Sequence, residues 1–141
     1  MIAGYLLDTN ALSESVAPKR NVAVVAWIRA LPQSATYVSS LTLGEVRKGI
    51  HRLPQSRRRE ELRFWLESTL TAWFEDRIIP IDLEVADRWG RLTAEQVRTP
   101  RPIIDSLLAA TALTHSLTLV TRDTDLVGIP GLEIFNPWAM N

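Results

Sequence analysis

The feature that most constrains the fold is an alternation of short apolar runs with longer, helix-like stretches. In the longer stretches apolar residues recur every three or four positions, which is typical of amphipathic helices. The short runs are strand-like and read YLL, ATYVSS, RIIPI, LTLVT and LEIF. Strands separated by helices pair in parallel, with helices on both faces of the sheet. The sequence therefore predicts an α/β fold with a mainly parallel central sheet.

Size and composition limit the other possibilities. The chain has 141 residues, of which 46% are hydrophobic, and we expect one domain over residues 1–141. There is no cysteine, which excludes a disulfide framework and a thiolate zinc site. No leader-like pattern and no run of 18 apolar residues is present, so we expect a cytoplasmic protein without membrane contact. Basic and acidic residues number 16 each, so any nucleic-acid site must be local.

Four acidic residues fall where these elements would bring them to one edge of the sheet. Asp8 ends the first strand, and Asp123 follows the fourth. Glu45 lies in the first turns of the helix after the second strand, and Asp105 opens the helix that leads into the fourth. In parallel sheets, ligands bind at the edge formed by the carboxyl ends of the strands. We therefore expect the four carboxylates to converge there.

Each acid also has an ordinary structural explanation. Asp8 suits a turn in which its side chain bonds to the backbone, and Asp123 and Asp125 suit the same role in a loop. Asp105 is favoured in a first helical turn by the helix dipole. Glu45 points away from the apolar face of its helix, so periodicity alone indicates a solvated side chain. The hypothesis of a functional site depends on convergence and not on any single residue.

Carboxylates a few ångströms apart repel one another unless one is protonated or a cation neutralises them. Oxygen-only, acidic sites suit hard divalent ions such as Mg²⁺ or Mn²⁺, which also coordinate water and substrate phosphate. Such an ion activates water and stabilises charge on phosphorus. The predicted chemistry is phosphodiester hydrolysis.

Four segments carry a resemblance to a known family. In spacing and order, LLDTNAL, SSLTLGEVRKGI, PIIDSLLAATAL and LVTRDTDL are similar to the four acidic motifs of PIN-domain ribonucleases, in particular VapC toxins and the FitB-like branch. The motifs run from position 6 to position 126 and so cover nearly the whole chain. The resemblance implies a three-layer α/β/α sandwich and a Mg²⁺- or Mn²⁺-dependent endoribonuclease.

The resemblance also implies roles for the acids. The catalytic quartet would be Asp8, Glu45, Asp105 and Asp123. Asp8 and Asp105 would be the first choices as direct metal ligands and Asp123 a third, with Glu45 acting through water.

Residues beside the acids would support them. Asn10 and Thr121 would donate hydrogen bonds to the acids or to a metal-bound water, and Asp125 would be a fifth acid. Among the arginines near the motifs, Arg122 is favoured for contact with substrate or partner.

Proteins of this kind act as toxins paired with an antitoxin, which inserts a segment into the acidic groove and binds promoter DNA through its other end. The resemblance thus implies an RNA substrate, a DNA-binding antitoxin, a homodimer and a higher toxin–antitoxin complex. One alternative is a PIN-like partner that acts mainly through that complex, with little or no nuclease activity. Another is a phospho-acceptor enzyme using Asp8, although the chain lacks both the D-x-D motif of such phosphatases and the lysine of receiver domains.

One further segment is rich in charge. SRRREELRFWLESTLTAWFE reads as one amphipathic helix with Trp65 and Trp73 on its apolar stripe. Its arginines, Arg57, Arg58 and Arg59, form either a solvated face or a contact for RNA phosphates. The five tryptophans of the chain suit core or interface positions.

Overall fold

The computed structural model describes residues 4–95 and 101–140 and contains one five-stranded sheet. The strands are β1 (Tyr5–Leu7), β2 (Thr36–Ser39), β3 (Ile78–Ile79), β4 (Thr118–Val120) and β5 (Ile134–Phe135). Their order is β3-β2-β1-β4-β5, and every neighbouring pair is parallel. The predicted parallel sheet is confirmed, and the first strand of the chain lies at its centre.

Helices connect the strands. The α-helices are α1 (Thr9–Ser13), α2 (Val22–Arg29), α3 (Ser40–His51), α4 (Arg57–Phe64), α5 (Thr71–Phe74), α6 (Leu83–Ala94) and α7 (Ile103–His115). In sequence, Asn21 precedes the helical pattern of NVAVVAWIRALP and is a possible N-cap; in the structure its side chain caps α2 by accepting a hydrogen bond from the amide of Val24. The amphipathic pattern LEVADRWGRLTAEQ predicts that α6 extends to Gln96, which lies outside the described residues.

Apolar side chains cover both faces of the sheet. Successive residues of a strand point to opposite faces, and Leu6 and Leu7 accordingly join different core clusters. One cluster packs the sheet against α1, α3, α5 and the turn before α5, and the other packs it against α7. The three-layer α/β/α arrangement is confirmed.

Two stretches differ from the sequence-based expectation. The segment predicted as one helix is interrupted by a π-helical turn, Trp65–Leu70, between α4 and α5. This turn changes the helical period, so Phe74 is almost fully buried whereas Trp73 remains 44% exposed. The short helix α1, which follows β1 at once, is too brief to leave a periodic apolar pattern and was not predicted.

None of the helices within residues 4–95 and 101–140 is long and apolar enough to cross a membrane.

Candidate active site

Asp8 lies at the carboxyl end of the central strand and is buried, with 8% of its surface exposed. Its amide donates to the carbonyl of Val120 in the neighbouring strand, at 3.1 Å. Its Oδ1 accepts a hydrogen bond of 2.8 Å from the amide of Ala11, which makes Asp8 the N-cap of α1. The turn-forming and site-forming interpretations of Asp8 are therefore compatible, because one side chain does both.

Burial raises the pKa of the Asp8 carboxyl above its usual range. Three features oppose that rise: hydrogen bonds from the Thr121 hydroxyl and the Ala11 amide, and the positive charge of Arg122. The negative charge of Asp123 acts in the same direction as burial. Asp8 is thus a desolvated carboxylate held in one orientation by two donors.

Glu45 faces the same site from α3. Its Oε1 accepts a hydrogen bond of 2.5 Å from the hydroxyl of Thr9, the first residue of α1, and the side chain is half-buried. Such short hydroxyl–carboxylate bonds are among the stronger ones in proteins. The solvated side chain that periodicity indicates for Glu45 is wrong, because α1 covers this part of α3.

Asp105 and Asp123 interact at this edge of the sheet. Burial, the side-chain interaction with Asp123 and the negative charges of Asp123, Glu45 and Asp8 raise the pKa of Asp105 to about 6. The structure thus brings together the four acids that the sequence singles out.

Thr121 links two of these acids. It is buried, accepts a hydrogen bond of 3.0 Å from the amide of Asp123 and donates its own proton to Asp8. Thr121 therefore connects the end of β1 with the loop that carries Asp123.

The other two supporting residues are more peripheral. The side chain of Asn10 is exposed, and within the described ranges it makes no hydrogen bond to the four acids. Asp125 is also exposed; its amide donates to Asp123 Oδ1 at 2.8 Å, and its carbonyl accepts from Arg101 at 2.7 Å. Asp125 therefore orients Asp123 through its backbone, while its carboxylate is turned to solvent.

Arg122 extends from the loop that carries Asp123. Its side chain is exposed, and its guanidinium carbon lies 5.0 Å from the ring centroid of Trp138. The sequence singles out Arg122 but neither Thr9 nor Trp138 as part of the site. Both contacts are tertiary, between α1 and α3 and between the fourth strand's loop and the C-terminal segment, and periodicity within one element carries no signal for them.

The acids of the site have the chemistry that a divalent cation requires. The donors are all oxygen, and burial together with the like charges of Asp123, Glu45 and Asp8 raises the pKa of Asp105; a cation relieves the repulsion between these charges. Even so, no three acidic or histidine side chains in residues 4–95 and 101–140 stand close enough to form a ready set of ligands. Without a cation, the negatively charged carboxylates repel one another and stay apart. Their side chains would have to move closer together to coordinate a metal ion. The donor chemistry fits Mg²⁺ or Mn²⁺.

The arginines of α4 have other partners. Arg57 pairs with Glu61, and Arg63 bridges Glu60 and Glu67 on the same helical surface. The guanidinium of Arg58 donates to a backbone carbonyl near the end of α1. These contacts favour the solvated charged face over a phosphate-binding surface.

Comparison with known proteins adds independent information. The family model for the PIN domain matches residues 5–132. Toxin FitB of Neisseria gonorrhoeae is 36% identical over 135 residues, covering 94% of this chain and 97% of that protein. The VapC ribonuclease Y4jK of Sinorhizobium fredii is 35% identical over 136 residues, covering 94% and 96%.

A solved structure of FitAB bound to an IR36 DNA fragment contains a chain that superposes with a TM-score of 0.89. That chain is 34% identical, and the match covers 97% of each of the two chains. The similarity therefore extends over the complete sheet and its helices, including the edge where the acids meet.

Proposed function

The chain belongs to the PIN-domain family, and from this premise we propose that it is a metal-dependent endoribonuclease and the toxin of a toxin–antitoxin pair. The observation that carries the proposal is the meeting of four carboxyl groups at the carboxyl edge of a parallel sheet, where burial and the charges of the other three raise the pKa of Asp105 to about 6. The relatives named a toxin and a VapC ribonuclease support it.

Asp8, Asp105 and Asp123 would hold Mg²⁺ or Mn²⁺, with Glu45 acting through water. When bound, the ion activates water for attack and stabilises the charge that develops on the phosphorus of an RNA phosphodiester. Asp105 must be ionised to serve as a ligand, since carboxylates bind metal in their charged form.

The remaining residues of the site orient these acids. The Ala11 amide and the Thr121 hydroxyl orient Asp8, and the Thr9 hydroxyl holds Glu45 towards the site. These hydrogen bonds orient the carboxyl groups before substrate binds, so the carboxyl groups need little rearrangement during the reaction. Asn10 and Asp125 would act at the rim, where they are exposed.

The partner assignment rests on relatives. FitAB forms a complex that binds a DNA fragment, so we propose for this chain a cognate antitoxin with a DNA-binding domain. A single PIN-like domain over residues 1–141, a homodimer, a higher toxin–antitoxin complex and a cytoplasmic location complete the proposal.

The test is cleavage of labelled total RNA by the partner-free protein, with Mg²⁺ or Mn²⁺ against EDTA. Discrete metal-dependent cuts are expected, and Asp8→Asn should abolish them while the circular dichroism spectrum is unchanged. Asp82→Asn is the matched control, because Asp82 caps α6 with the same geometry and is not among the charges acting on Asp105. Asparagine caps helices as well as aspartate does, so the pair separates capping from charge.

Folded wild-type protein that cuts RNA in neither metal would overturn the nuclease proposal. A partner that works only through its complex with a DNA-binding protein would then be the better description. Equal cleavage by Asp8→Asn and the wild type would remove the acidic site from the mechanism.

A further inference from the structure

Arg122 and Trp138 form a cation–π pair at the rim of the acidic site. The guanidinium carbon lies 5.0 Å from the ring centroid of Trp138, within the range in which a cation is attracted to the face of an aromatic ring. Arginine suits this contact because its planar, weakly hydrated head can stack and still offer N–H donors at its edges.

The sheet explains why residues 16 positions apart in sequence meet. Strands β4 and β5 pair in parallel with Val120 opposite Phe135, and the amide of Thr121 continues the ladder by donating to the carbonyl of Phe135 at 3.1 Å. Residues that follow the two strands are consequently neighbours at the carboxyl edge. Arg122 leaves one strand there, and Trp138 leaves the other.

The tryptophan ring is held independently of the arginine. The side chain of Asn136 accepts a hydrogen bond of 2.9 Å from the amide of Trp138, and this closes a short 3-10 turn over residues Pro137–Ala139. Trp138 is partly buried against the same apolar cluster as α1 and α3. The turn and the apolar cluster therefore set the position of the Trp138 ring, and the Arg122 side chain packs against it.

Aromatic contacts anchor the start of this turn. Phe135, one residue before Asn136, stacks on Trp27 of α2 with ring centroids 4.5 Å apart. Trp27 in turn meets the edge of Tyr5 in the central strand at 5.6 Å. The C-terminal segment is thereby connected to the strand that ends in Asp8.

Arg122 is placed to act on a polyanion at the site. It follows Thr121, whose hydroxyl bonds to Asp8, and its positive charge acts on the Asp8 carboxylate. Its side chain nevertheless makes no salt bridge with a carboxylate in the part of the chain that the structure describes. The Arg122 guanidinium is thus exposed and close to the acids, but it is not paired with any of them in the described residues.

We propose that Trp138 is a positioning residue, whose ring holds the Arg122 guanidinium at the rim of the acidic site so that it binds an RNA phosphate flanking the one that is cut. The inference rests on the proposed function and extends it to substrate binding. An arginine that the ring already holds in place loses less conformational entropy when it binds a phosphate. The smaller entropy loss increases the affinity for RNA. The chemical step, which depends on the acids, is unaffected.

The central test compares Trp138→Leu with Trp138→Phe in kinetics on a single-stranded RNA that the wild type cleaves. Leucine keeps an apolar side chain but removes the ring, and we expect it to raise KM by about three- to tenfold at unchanged kcat. Phenylalanine retains a ring face and should restore most of the affinity. Arg122→Gln should raise KM by at least as much as leucine at position 138.

A double-variant cycle separates positioning from general damage. In the Arg122→Gln background, Trp138→Leu should raise KM no further, because the ring then has no cation to hold. Trp65→Leu is the matched control, since Trp65 is also partly buried against the same cluster. It should lower the melting temperature as Trp138→Leu does and leave KM unchanged. Additive effects of the two site variants, or a rise in KM with Trp65→Leu of the same size, would overturn the inference.

A binding measurement keeps this test independent of catalysis. Fluorescently labelled RNA is titrated with the same variants in EDTA, each in the Asp8→Asn background. Weaker binding with Trp138→Leu, rescued by phenylalanine, supports the positioning role even if the wild type cuts nothing, in which case the nuclease proposal alone fails. Equal affinities for Trp138→Leu and its parent refute the positioning role, whatever the wild type cuts.

Discussion

The carboxyl edge of the sheet and the helix α4 are both dense in charge, but they use charge in opposite ways. On α4, arginines pair with glutamates three or four residues away, and the paired side chains are largely exposed to solvent. At the sheet edge, four acids face one another, and one of them has its pKa raised to about 6. Paired exposed charges contribute little to stability, whereas gathered like charges destabilise the fold. A protein keeps the second arrangement when it serves binding or chemistry.

The sharpest way to test this contrast is Asp105→Asn. We expect cleavage to fall by about 10³-fold, because one ligand and one charge of the site are lost. The metal-free protein should at the same time become more stable at pH 8, since asparagine removes a carboxylate that is repelled by three others. Thermal unfolding in EDTA measures the second effect, with Asp82→Asn as the control.

The direction of this change in stability follows from the coupling between proton binding and folding. A folded-state pKa of about 6 for Asp105, against its ordinary value of 3.8, means that between these two values the native protein binds more protons than the unfolded chain. The stability that Asp105 contributes is therefore fully present below the lower value and is lost as the pH rises through about 6. A melting temperature of Asp105→Asn equal to or below that of the wild type at pH 8 would contradict this account.

Thr9→Val tests whether the acids need orientation as well as charge. Without the hydroxyl, Glu45 loses its 2.5 Å hydrogen bond, and we expect cleavage to fall by about 10- to 100-fold, the usual range for residues that orient ligands. Thr93→Val is the matched control, because that hydroxyl bonds to the backbone carbonyls of Trp89 and Gly90 in its own helix. An equal loss of cleavage in both variants would indicate general damage.

The pH dependence of metal binding provides a third test. Because Asp105 holds a proton below about pH 6, the affinity for Mn²⁺ should decrease as the pH falls through that value, by up to about tenfold per unit. Calorimetry in buffers of different ionisation enthalpy counts the proton that is released. In Asp105→Asn the inflection should disappear, and its persistence there would assign the titration to another group.

The smallest effect is expected on α4. Arg63→Gln breaks bridges to Glu60 and Glu67, yet these side chains are about half exposed, so the melting temperature at physiological ionic strength should hardly change. Cleavage should also be unchanged. A several-fold rise in KM for RNA would instead show that this helix binds phosphates, and the contrast between the two regions would fail.

Much of the fold was predictable because its signals are local. Strand-length apolar runs and helical periodicity predicted the parallel sheet, and the position of Asp8 and Asp123 after strands predicted that the acids would meet. Glu45 illustrates the limit. Within its own helix, Glu45 lies on the polar face. It is half-buried because α1 packs against α3, which brings the Thr9 hydroxyl to 2.5 Å from Glu45 Oε1.

Other features needed the tertiary structure for similar reasons. The π-helical turn at Trp65–Leu70 shifts which side chains face the core, so a regular period misplaces Trp73. The contact of Arg122 with Trp138 depends on the register of two strands, which no pattern within either strand specifies.

The central position of β1 has a consequence for how the molecule is made. Tyr5 pairs with Thr36 on one side and with Thr118 on the other, so β1 gains its second neighbour only after more than a hundred further residues have been synthesised. Parallel pairing between such distant segments is slow to form, because a long loop must close first. Asp8 accordingly meets Asp123 only after β4 has docked beside β1.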